Sequence, residues 1–514
     1  MEAFLVALLL ACLVFMLAIT FFNKKKNLVP EAGGSWPLLG HLPLLRSSKP
    51  AHIVLDKLAD RYGPIFMMKL GIKRTMIVSN WEIAKECLTV HDRVFASRPA
   101  SVCSQILGYD NTMFGFCPYG DFWRQTRKFT MLELLSNSRL DMFKDVREST
   151  ISMASRELYK LLGANKDSSR RVTVEMKTWI GEITLNVICK IIFGKNLGYS
   201  NSQESGKTME EWKHNLREFF ELAGKFVIAD SLPYLRWLDI GNDEKAMKST
   251  AQKLDFLVAE CLKEHKENRN FSNGPKGDGD FMDVMLSLCN KHENVPDGKD
   301  ADTFIKATCL GMVLAASDTT TVTLSWALAL LVNHPHILKK AQQQIDNEVG
   351  KDRLVSENDT KNFVYLDAII KETLRLYPAG PLAVPHLSLE DCTVAGYHVP
   401  AGTTVLFNLS KIHRDPGVWK EANEFRPERF LMEHKDKDVK GQNFELIPFG
   451  SGRRMCPGVN FALLILRLTL ASVIHAFDFE SSSPIDMTET PGLTNSMAAK
   501  LDLLLTPRLS SAAY

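Results

Sequence analysis

A single cysteine in this chain has neighbours that suit the binding of a metal. Cys456 lies in the segment PFGSGRRMCPG, residues 448–458, directly before the largely apolar run Val459–Ala471, which predicts a helix. Glycines let the backbone of such a turn come close to a bound group, and Pro457 can occupy the first turn of the helix. The positive end of that helix and two adjacent arginines would lower the pKa of the thiol. The segment therefore predicts a thiolate held against a flat metal cofactor.

The complete spacing carries this interpretation, because a lone cysteine is more often a small buried apolar residue. The pattern Phe-x-x-Gly-x-Arg-x-Cys-x-Gly runs from Phe449 to Gly458. It resembles the haem-binding loop of the cytochrome P450 monooxygenases. The resemblance implies that Cys456 is the axial ligand of the iron in haem b, and that Phe449, Arg454 and Gly458 also bind the haem.

The composition describes an ordinary globular chain. It has 514 residues, of which 45% are hydrophobic and 24% are charged, so there is ample material for a core. The net charge of +2 predicts no nucleic-acid partner. None of the ten cysteines forms a C-x-x-C pair, so neither a zinc site nor a disulfide framework is predicted. This cysteine usage fits a reducing compartment.

The N-terminus predicts a membrane anchor. In the run Ala3–Phe22 only Thr20 is polar, and three lysines follow at positions 24–26. Such a run is long enough to cross a bilayer core of ~30 Å, and lysines next to a span stay on the cytoplasmic side. We therefore expect residues 1–22 to be one retained transmembrane helix, with the remainder of the chain in the cytoplasm.

The rest of the chain is predicted to form one domain. Residues 23–45 are first basic and then rich in proline and glycine. They can be a flexible linker, but a proline-rich hinge stands at this place in microsomal P450s, and we prefer that interpretation. No second linker of domain-boundary quality follows, since Asn268–Asp280 is interpreted as a loop between helices. Residues 46–514 are therefore expected to be a single haem-thiolate catalytic domain.

The secondary-structure pattern is mainly helical. Helical periodicity dominates residues 120–345 and recurs at 51–62. Strand patterns are limited to Ile65–Leu70, Thr75–Val78 and the region 393–407. The fold class is thus mainly α with a small β portion, and the resemblance implies the cytochrome P450 fold.

A long helix is predicted over Asp302–Asn333, where the following His334-Pro335 ends it. Asp318 is the only charged residue between Ala307 and Asn333. The helix can be a second membrane span, although an Asp at its centre would cost ~2.5–3.5 kcal/mol. It can also be a buried core helix with a satisfied carboxylate. An unpaired buried charge, in contrast, is costly and tends to mark function.

The residues around Asp318 add a second resemblance. The stretch AASDTT, residues 315–320, is similar to the oxygen-activating motif of the P450 family. This implies that Thr319 hydrogen-bonds the bound dioxygen and that Asp318 helps to deliver protons to it. The family often has Gly where this chain has Ala316, so we expect a tighter pocket at this point.

Two further motifs complete the family's pattern. Glu372 and Arg375 are three residues apart on a predicted helix and alone would be read as a surface pair of little energetic value. The family joins this pair to an arginine of a P-E-R-F motif, here Arg429, in a buried structural network. The spacing W-x-x-x-R at Trp123 and Arg127 resembles the family's propionate-binding motif. His386, in the run VPH, is assigned to the propionates as well.

The resemblance also implies a substrate pocket and an electron source. By family analogy, mostly apolar side chains line the pocket, which suits a lipophilic substrate. These candidates are Met113, Phe114, Phe116, Leu310, Ala315, Ala316, Leu382, Ala383, Val384, Leu493 and Thr494. The chain has no flavin or dinucleotide fingerprint, so NADPH would act through NADPH–cytochrome P450 reductase, with cytochrome b5 as a further partner, at the endoplasmic reticulum membrane.

The wording of the motifs is similar to a plant microsomal branch that contains nicotine demethylases, benzylisoquinoline-alkaloid hydroxylases, flavone hydroxylases and homoterpene synthases. It implies a monooxygenase that hydroxylates or N/O-demethylates a small lipophilic plant specialised metabolite, first an alkaloid, next a terpenoid or flavonoid. Two other functions stay open: a haem-thiolate isomerase or dehydratase that needs no reductase, and a non-catalytic membrane haem protein. NADPH-dependent turnover would exclude the former, and substrate-induced spectral shifts would exclude the latter.

Overall fold

The computed structural model describes residues 27–164, 171–198, 203–271, 279–289 and 299–514. The predicted anchor over residues 1–22 and the first part of the connector lie outside the described residues. The α-helices of the described ranges are α1 (Leu42–Leu45), α2 (Ala51–Tyr62), α3 (Trp81–Leu88), α4 (Val102–Ile106), α5 (Asp121–Glu133), α6 (Asn137–Met142), α7 (Lys144–Ala164), α8 (Met176–Phe193), α9 (Gln203–Ala223), α10 (Ile228–Ser231), α11 (Asp243–Phe271), α12 (Phe281–Cys289), α13 (Ala301–Asn333), α14 (Pro335–Val349), α15 (Val364–Leu376), α16 (Leu409–Ile412) and α17 (Val459–Ala476).

Short strands form three small sheets beside the helices. The strands are β1 (Ile65–Leu70), β2 (Lys73–Val78), β3 (Val172–Glu175), β4 (His386–Leu387), β5 (Cys392–Val394), β6 (Tyr397–Val399), β7 (Thr404–Phe407), β8 (Phe477–Glu480) and β9 (Asp502–Pro507). The orders are β1-β2-β7-β4, β3-β9-β8 and β5-β6. Only the β2–β7 pair is parallel among these strands. The structure confirms the predicted class, mainly α with a small β portion.

The long helix α13 forms the centre of the core. Asp300 caps its start by accepting a hydrogen bond from the Thr303 N–H, and it ends just before His334, as the proline at 335 predicts. Helix α8 packs along it so closely that the hydroxyls of Thr184 and Thr321 lie 2.8 Å apart. Helices α13 and α17 are both long and apolar enough to span a membrane, but 72% and 78% of their apolar windows are buried inside the protein. Both are therefore core helices in the described structure.

Part of the predicted connector packs against the four-stranded sheet. The Ala32 N–H donates to the Met67 oxygen at 2.9 Å, and the Met67 N–H donates to the Pro30 oxygen at 2.7 Å. The ring of His41 is buried, and its Nε2 lies 3.0 Å from the Ala32 oxygen. Leu42 and Leu45 are also buried. Residues 30–45 are thus held on the sheet by backbone bonds and burial, instead of forming a free linker.

The turn between β1 and β2 also touches a distant segment. Gly71 has φ +60°, and an added Cβ would lie 2.2 Å from the Ser231 oxygen. The next residue, Ile72, donates its N–H to that same oxygen at 3.1 Å. Glycine is therefore needed at position 71 for conformation and for space, and the turn fixes the segment that follows α9.

We expect Gly71→Ala to destabilise the protein more than Gly396→Ala. Both glycines have positive φ in hairpin turns, so alanine costs ~1–2 kcal/mol of left-handed strain at either site. No described heavy atom lies within 4 Å of a Cβ at Gly396, whereas Gly71 faces Ser231. That overlap should add ~1–3 kcal/mol. Thermal unfolding followed by circular dichroism checks this, and equal losses in the two variants would contradict the contact with Ser231.

Candidate functional site

The Cys456 loop is a tight turn ahead of helix α17. The Cys456 N–H donates to the Phe449 oxygen at 2.9 Å, which closes the turn. Gly450 and Gly452 have φ of +70° and +65°, values that favour glycine. Helix α17 begins at Val459 with Gly458 as its N-cap. The prediction that Pro457 occupies the first helical turn is wrong, since Pro457 precedes the cap.

Asp92, just after helix α3, fastens this loop. An added Cβ at Gly452 would lie 2.6 Å from Asp92 Oδ1 and 2.7 Å from the Leu88 oxygen, so the site has no room for a side chain. The Arg453 N–H donates to Asp92 Oδ1, and its Nε donates to Asp92 Oδ2 at 2.7 Å. One terminal nitrogen of Arg453 also donates to the hydroxyl of Tyr119 at 2.8 Å. Arg453 therefore positions the loop.

Opposing effects act on the pKa of the Cys456 thiol. Burial is the largest, and it raises the pKa of the thiol above its ordinary value. A hydrogen bond from the Gly458 N–H and the charge of Arg127 act in the opposite direction. The sequence predicted a net lowering from the helix end and the two adjacent arginines, which overlooked the cost of desolvating the sulfur. The sulfur thus has one N–H donor and one cation available to stabilise a thiolate.

Three guanidinium groups gather around this loop. Arg127 donates to the Met455 oxygen at 3.0 Å, and Arg454 donates to the oxygens of Ala96 and Cys117 at 2.6 and 2.7 Å. The third group, Arg98, is buried. In the described part of the chain, all three arginines donate their hydrogen bonds to backbone carbonyls. Such a concentration of positive charge without a carboxylate is costly unless anionic groups bind to it.

Trp123 packs within this cluster. The guanidinium of Arg454 lies 4.2 Å from the Trp123 ring centroid, and that of Arg127 lies 5.5 Å away. Phe114 stacks on the indole, with centroids 6.1 Å apart and planes 8° from parallel. The W-x-x-x-R spacing thus places Trp123 and Arg127 on one face of α5, next to Arg454, and a predicted pocket residue touches the same indole.

Arg98, which lies in the segment FASRP and matches no motif, was not identified from the sequence. Its terminal nitrogen donates to the oxygens of Val384 and Pro385 at 2.7 and 2.8 Å, and its Nε donates to the Gly115 oxygen at 3.2 Å. Burial, followed by the charge of Arg454, lowers the pKa of Arg98 well below its usual range. An arginine followed by proline carries no helical or strand periodicity, so only the tertiary contacts identify it.

His386 lies beside the same cluster but faces the backbone. Its Nδ1 is 2.6 Å from the Phe95 oxygen, and its ring meets Phe407 edge-on at 5.2 Å. Burial and the charge of Arg98 hold the pKa of His386 well below its ordinary value, so the ring is neutral. Its contacts orient strand β4 next to the arginines.

The middle of α13 carries the predicted proton-transfer residues. The hydroxyl of Thr319 donates to the Ala315 oxygen at 2.7 Å, which leaves its oxygen with acceptor lone pairs only. Asp318 Oδ2 is buried with no hydrogen-bond partner in the described structure. Burial raises the pKa of Asp318 to about 6, while a hydrogen bond from Thr494 and the charge of Lys177 lower it. The carboxyl group can therefore gain and lose a proton near neutral pH.

Glu372 lies between two buried arginines. Arg375 donates to its two carboxylate oxygens at 2.7 and 2.8 Å, and Arg429 Nε donates to Oε1 at 2.9 Å. All three side chains have no exposed surface. The remaining arginine N–H groups bind backbone oxygens of residues 413–424. The network is thus a complete buried cluster, as the resemblance to the family's motifs implied, and it holds a long irregular segment.

His413 connects this network to the cysteine loop, which sequence reasoning did not identify. Arg375 donates to the His413 oxygen at 3.0 Å, and His413 Nε2 accepts a hydrogen bond from the Ile447 N–H at 3.0 Å. The Ile447 oxygen in turn accepts from the Gly450 N–H at 2.8 Å. Burial and the charge of Arg375 lower the pKa of His413 to about 3, so the ring stays neutral and keeps its acceptor.

The predicted pocket residues divide into two groups. One group packs in or against the main core around α13 and consists of Met113, Phe114, Phe116, Leu310, Ala316 and Leu493. Thr494 is buried near Asp318, and the Ala315 oxygen accepts the Thr319 hydrogen bond. Leu382 and Ala383 instead pack against two smaller clusters beside the four-stranded sheet. The Val384 oxygen joins this second group to Arg98.

Many known proteins are similar to this chain in sequence and in fold. A sequence model of the family described as cytochrome P450 matches residues 30–503. The chain belongs to the cytochrome P450 family. The strychnine-10-hydroxylase of Strychnos nux-vomica is 48% identical over 96% of this chain and 93% of its own length. The flavonoid-6-hydroxylase of Ocimum basilicum is 49% identical over 94% of this chain and 92% of its own length. A zebrafish cytochrome P450 solved with progesterone is 27% identical and superposes with a TM-score of 0.71. The match covers 89% of this chain and 100% of the zebrafish chain.

Membership of the P450 family establishes the fold, the cofactor and the reaction class. The protein is a haem-thiolate monooxygenase that receives electrons from a redox partner and acts on a small molecule. The residues present fit the haem. Cys456 offers a sulfur with an N–H donor, and the clustered guanidiniums of Arg98, Arg127 and Arg454 need the two negative charges that the propionates carry.

We expect Arg98→Gln to release haem about tenfold faster than the wild type, because a hydrogen bond to a charged group contributes ~1.5–3 kcal/mol. Transfer of haem to apomyoglobin measures the rate. The control is Arg124→Gln, which removes an exposed arginine from the helix that carries Arg127. Equal rates in all three proteins would contradict the assignment of Arg98 to the propionates.

Arg375→Lys should prevent the accumulation of correctly ligated holoprotein. Lysine cannot reproduce the two bonds to Glu372 or the bond to His413, and breaking a buried pair costs ~3–5 kcal/mol. Arg467→Lys is the matched control, since Arg467 pairs with Asp367 of the same helix α15 at its half-buried surface. The yield of the reduced carbonyl absorption is the readout. A normal yield for Arg375→Lys would show that the network does not support the loop.

Proposed function

We propose that this P450 hydroxylates a small lipophilic plant specialised metabolite, with an alkaloid as the first candidate and a flavonoid or terpenoid as the next. The named activities of two relatives, on strychnine and on a flavonoid, support these classes. The apolar character of Met113, Phe114 and Leu310 supports a lipophilic substrate. Demethylation is the alternative outcome, because hydroxylation of an N- or O-methyl group leads to loss of that group.

The observation that carries the proposal is the buried carboxyl of Asp318 beside Thr319. In the overall reaction NADPH and one proton reduce O2, so that one oxygen atom enters the substrate and the other leaves as water. The haem supplies the binding and reductive activation of O2. That reduction consumes protons, and an acid with a pKa of about 6 can supply them near neutral pH. Thr319, whose hydrogen is donated to Ala315, accepts a hydrogen bond from a proton-bearing group.

The same proposal includes the partners and the location. Electrons come from NADPH–cytochrome P450 reductase, with cytochrome b5 as an additional donor. Residues 1–22 anchor the protein in the endoplasmic reticulum membrane, residues 23–45 connect the anchor to the catalytic domain, and that domain faces the cytoplasm. Exposed apolar side chains in the connector, in the β1–β2 turn and after α10 support attachment to a lipid surface. They are Trp36 (61% exposed), Leu38 (78%), Ile72 (66%) and Trp237 (80%).

The substrate is best identified with microsomes that contain the protein and the reductase. They are incubated with a panel of alkaloids, flavonoids and terpenoids, and products are detected by mass spectrometry. We expect a product heavier by one oxygen atom, or lighter by one methylene after demethylation, only when NADPH and O2 are present. Conversion of a substrate without NADPH would instead support the isomerase or dehydratase function.

Thr319→Ala should divert NADPH consumption from product to hydrogen peroxide. The variant keeps the pocket but loses the acceptor oxygen, so protons are no longer delivered in order. Thr323→Ala is the matched control, because Thr323 makes the same bond to the carbonyl four residues earlier, one turn along α13. The ratio of peroxide to NADPH consumed is the measurement. Unchanged coupling in Thr319→Ala would contradict its role.

Asp318 should determine the pH dependence of turnover. Its pKa of about 6 means that the proton-loaded form becomes scarcer as the pH rises through 6 toward 8. We therefore expect kcat to fall over this range in the wild type and to be low and nearly independent of pH in Asp318→Asn. The loss at pH 6 should be ~10²-fold or more, as for a general acid. An unchanged profile in Asp318→Asn would exclude this carboxyl as the proton donor.

A further inference from the structure

Three consecutive residues after helix α4 have a left-handed backbone. Tyr109, Asp110 and Asn111 have φ of +51°, +49° and +59°. Residues other than glycine visit this region rarely and normally one at a time. A run of three persists only where the surrounding structure holds it in place.

Backbone bonds hold this turn on the end of α4. The Asp110 N–H donates to the Gln105 oxygen and the Asn111 N–H donates to the Ser104 oxygen, both at 2.9 Å. These bonds satisfy carbonyls that the short helix leaves without partners. The chain is compressed here, because a Cβ at Gly108 would lie 2.5 Å from the Ser104 oxygen.

One side chain of the turn binds two helices of the core. The Tyr109 hydroxyl donates to Asp255 Oδ1 of α11 at 2.8 Å. Lys306 Nζ of α13 donates to the same oxygen at 2.7 Å and lies 5.8 Å from the centre of the Tyr109 ring. Burial and the charge of Asp255 raise the pKa of Tyr109, so the phenol keeps its proton. The hydroxyl therefore joins the turn to both α11 and α13.

The other end of α4 has a contact of the same kind. Asp230 of α10 is half-buried, and its Oδ1 accepts a hydrogen bond from the Val102 N–H at 2.8 Å. Carboxylates from the stretch 228–271 thus hold both ends of the segment Ser101–Asn111.

The residues directly after the turn are predicted pocket residues. Met113 lies under α13, where a Cβ at Gly311 would be 3.1 Å from its Cγ. Phe114 stacks on Trp123, and the Phe116 ring is 6.3 Å from that of Phe219 on α9. A change in the turn would therefore move side chains that pack against α13 and line the proposed substrate pocket.

We propose that Tyr109 is a positioning residue for the substrate pocket, and that its bond to the Asp255–Lys306 pair holds the left-handed turn and thereby fixes Met113, Phe114 and Phe116. The inference rests on the proposed function for the role of these three side chains. It predicts that loss of one hydroxyl loosens the pocket for bulky ligands, whereas a small ligand of the haem iron binds as before.

The test compares Tyr109→Phe with the wild type and with Tyr397→Phe, which removes a hydroxyl from strand β6. All three are used as haem-loaded, ferric proteins without substrate. The first readout is hydrogen exchange of peptides that cover residues 104–116. Tyr109→Phe should exchange about tenfold faster there, since a bond to a charged acceptor contributes ~1.5–3 kcal/mol. Tyr397→Phe should match the wild type in these peptides.

The second readout is the optical titration of two azoles that bind the haem iron. Imidazole is small, whereas the phenyl ring of 4-phenylimidazole must fit between the pocket side chains. In Tyr109→Phe the Kd for 4-phenylimidazole should rise ~3–10-fold, and the Kd for imidazole should change by less than about twofold, because only packed side chains are displaced.

Each outcome decides a separate point. If Tyr109→Phe exchanged hydrogen at the wild-type rate in residues 104–116, the proposal would be overturned, since the hydroxyl would not stabilise the turn. Faster exchange with unchanged affinity for 4-phenylimidazole would also overturn it, because the turn would not govern the pocket. Neither readout needs turnover, so a failure of the wild type to oxidise any plant metabolite would count against the proposed function alone.

Discussion

The salt-bridged cluster of Glu372, Arg375 and Arg429 is the interaction on which the site depends. Three buried charges are stable only if each is paired and hydrogen-bonded, and here the carboxylate is shared while the guanidiniums bind the backbone of residues 413–424. Through His413 the cluster reaches Ile447 and the turn that presents Cys456. The thiol thus owes its position to charges that lie outside the loop itself.

A second set of contacts connects the cysteine loop to helix α13. Arg98, a member of the arginine cluster, donates to the Gly115 oxygen, and Trp123, which packs within that cluster, stacks on Phe114. The adjacent Met113 packs on α13. On α13, burial raises the pKa of Asp318 to about 6. The cysteine loop and the carboxyl of Asp318 are therefore attached to one continuous packed structure.

The sequence predicted the parts of this site that depend on local spacing. The motifs at Cys456, Asp318, Glu372 and Trp123 all fall on the elements expected, because helix periodicity and short-range patterns are properties of neighbouring residues. Contacts between residues that are distant in the chain produce no such pattern in the sequence. Arg98 and His413 act through backbone atoms of distant residues, and the sheet contacts of residues 30–45 follow from tertiary packing. The rise in the Cys456 pKa likewise depends on burial, which spacing does not show.

The central claim, that Cys456 holds the haem iron as a thiolate, is tested most directly by the absorption of the reduced carbonyl complex. Cys456→His is compared with Cys392→Ser, which changes a half-buried cysteine in strand β5 of the small β5–β6 hairpin. The wild type and Cys392→Ser should show the band of a thiolate-ligated haem. Cys456→His should keep haem but show the band of a histidine-ligated one, or lose haem altogether. A thiolate band that persists in Cys456→His would contradict the account.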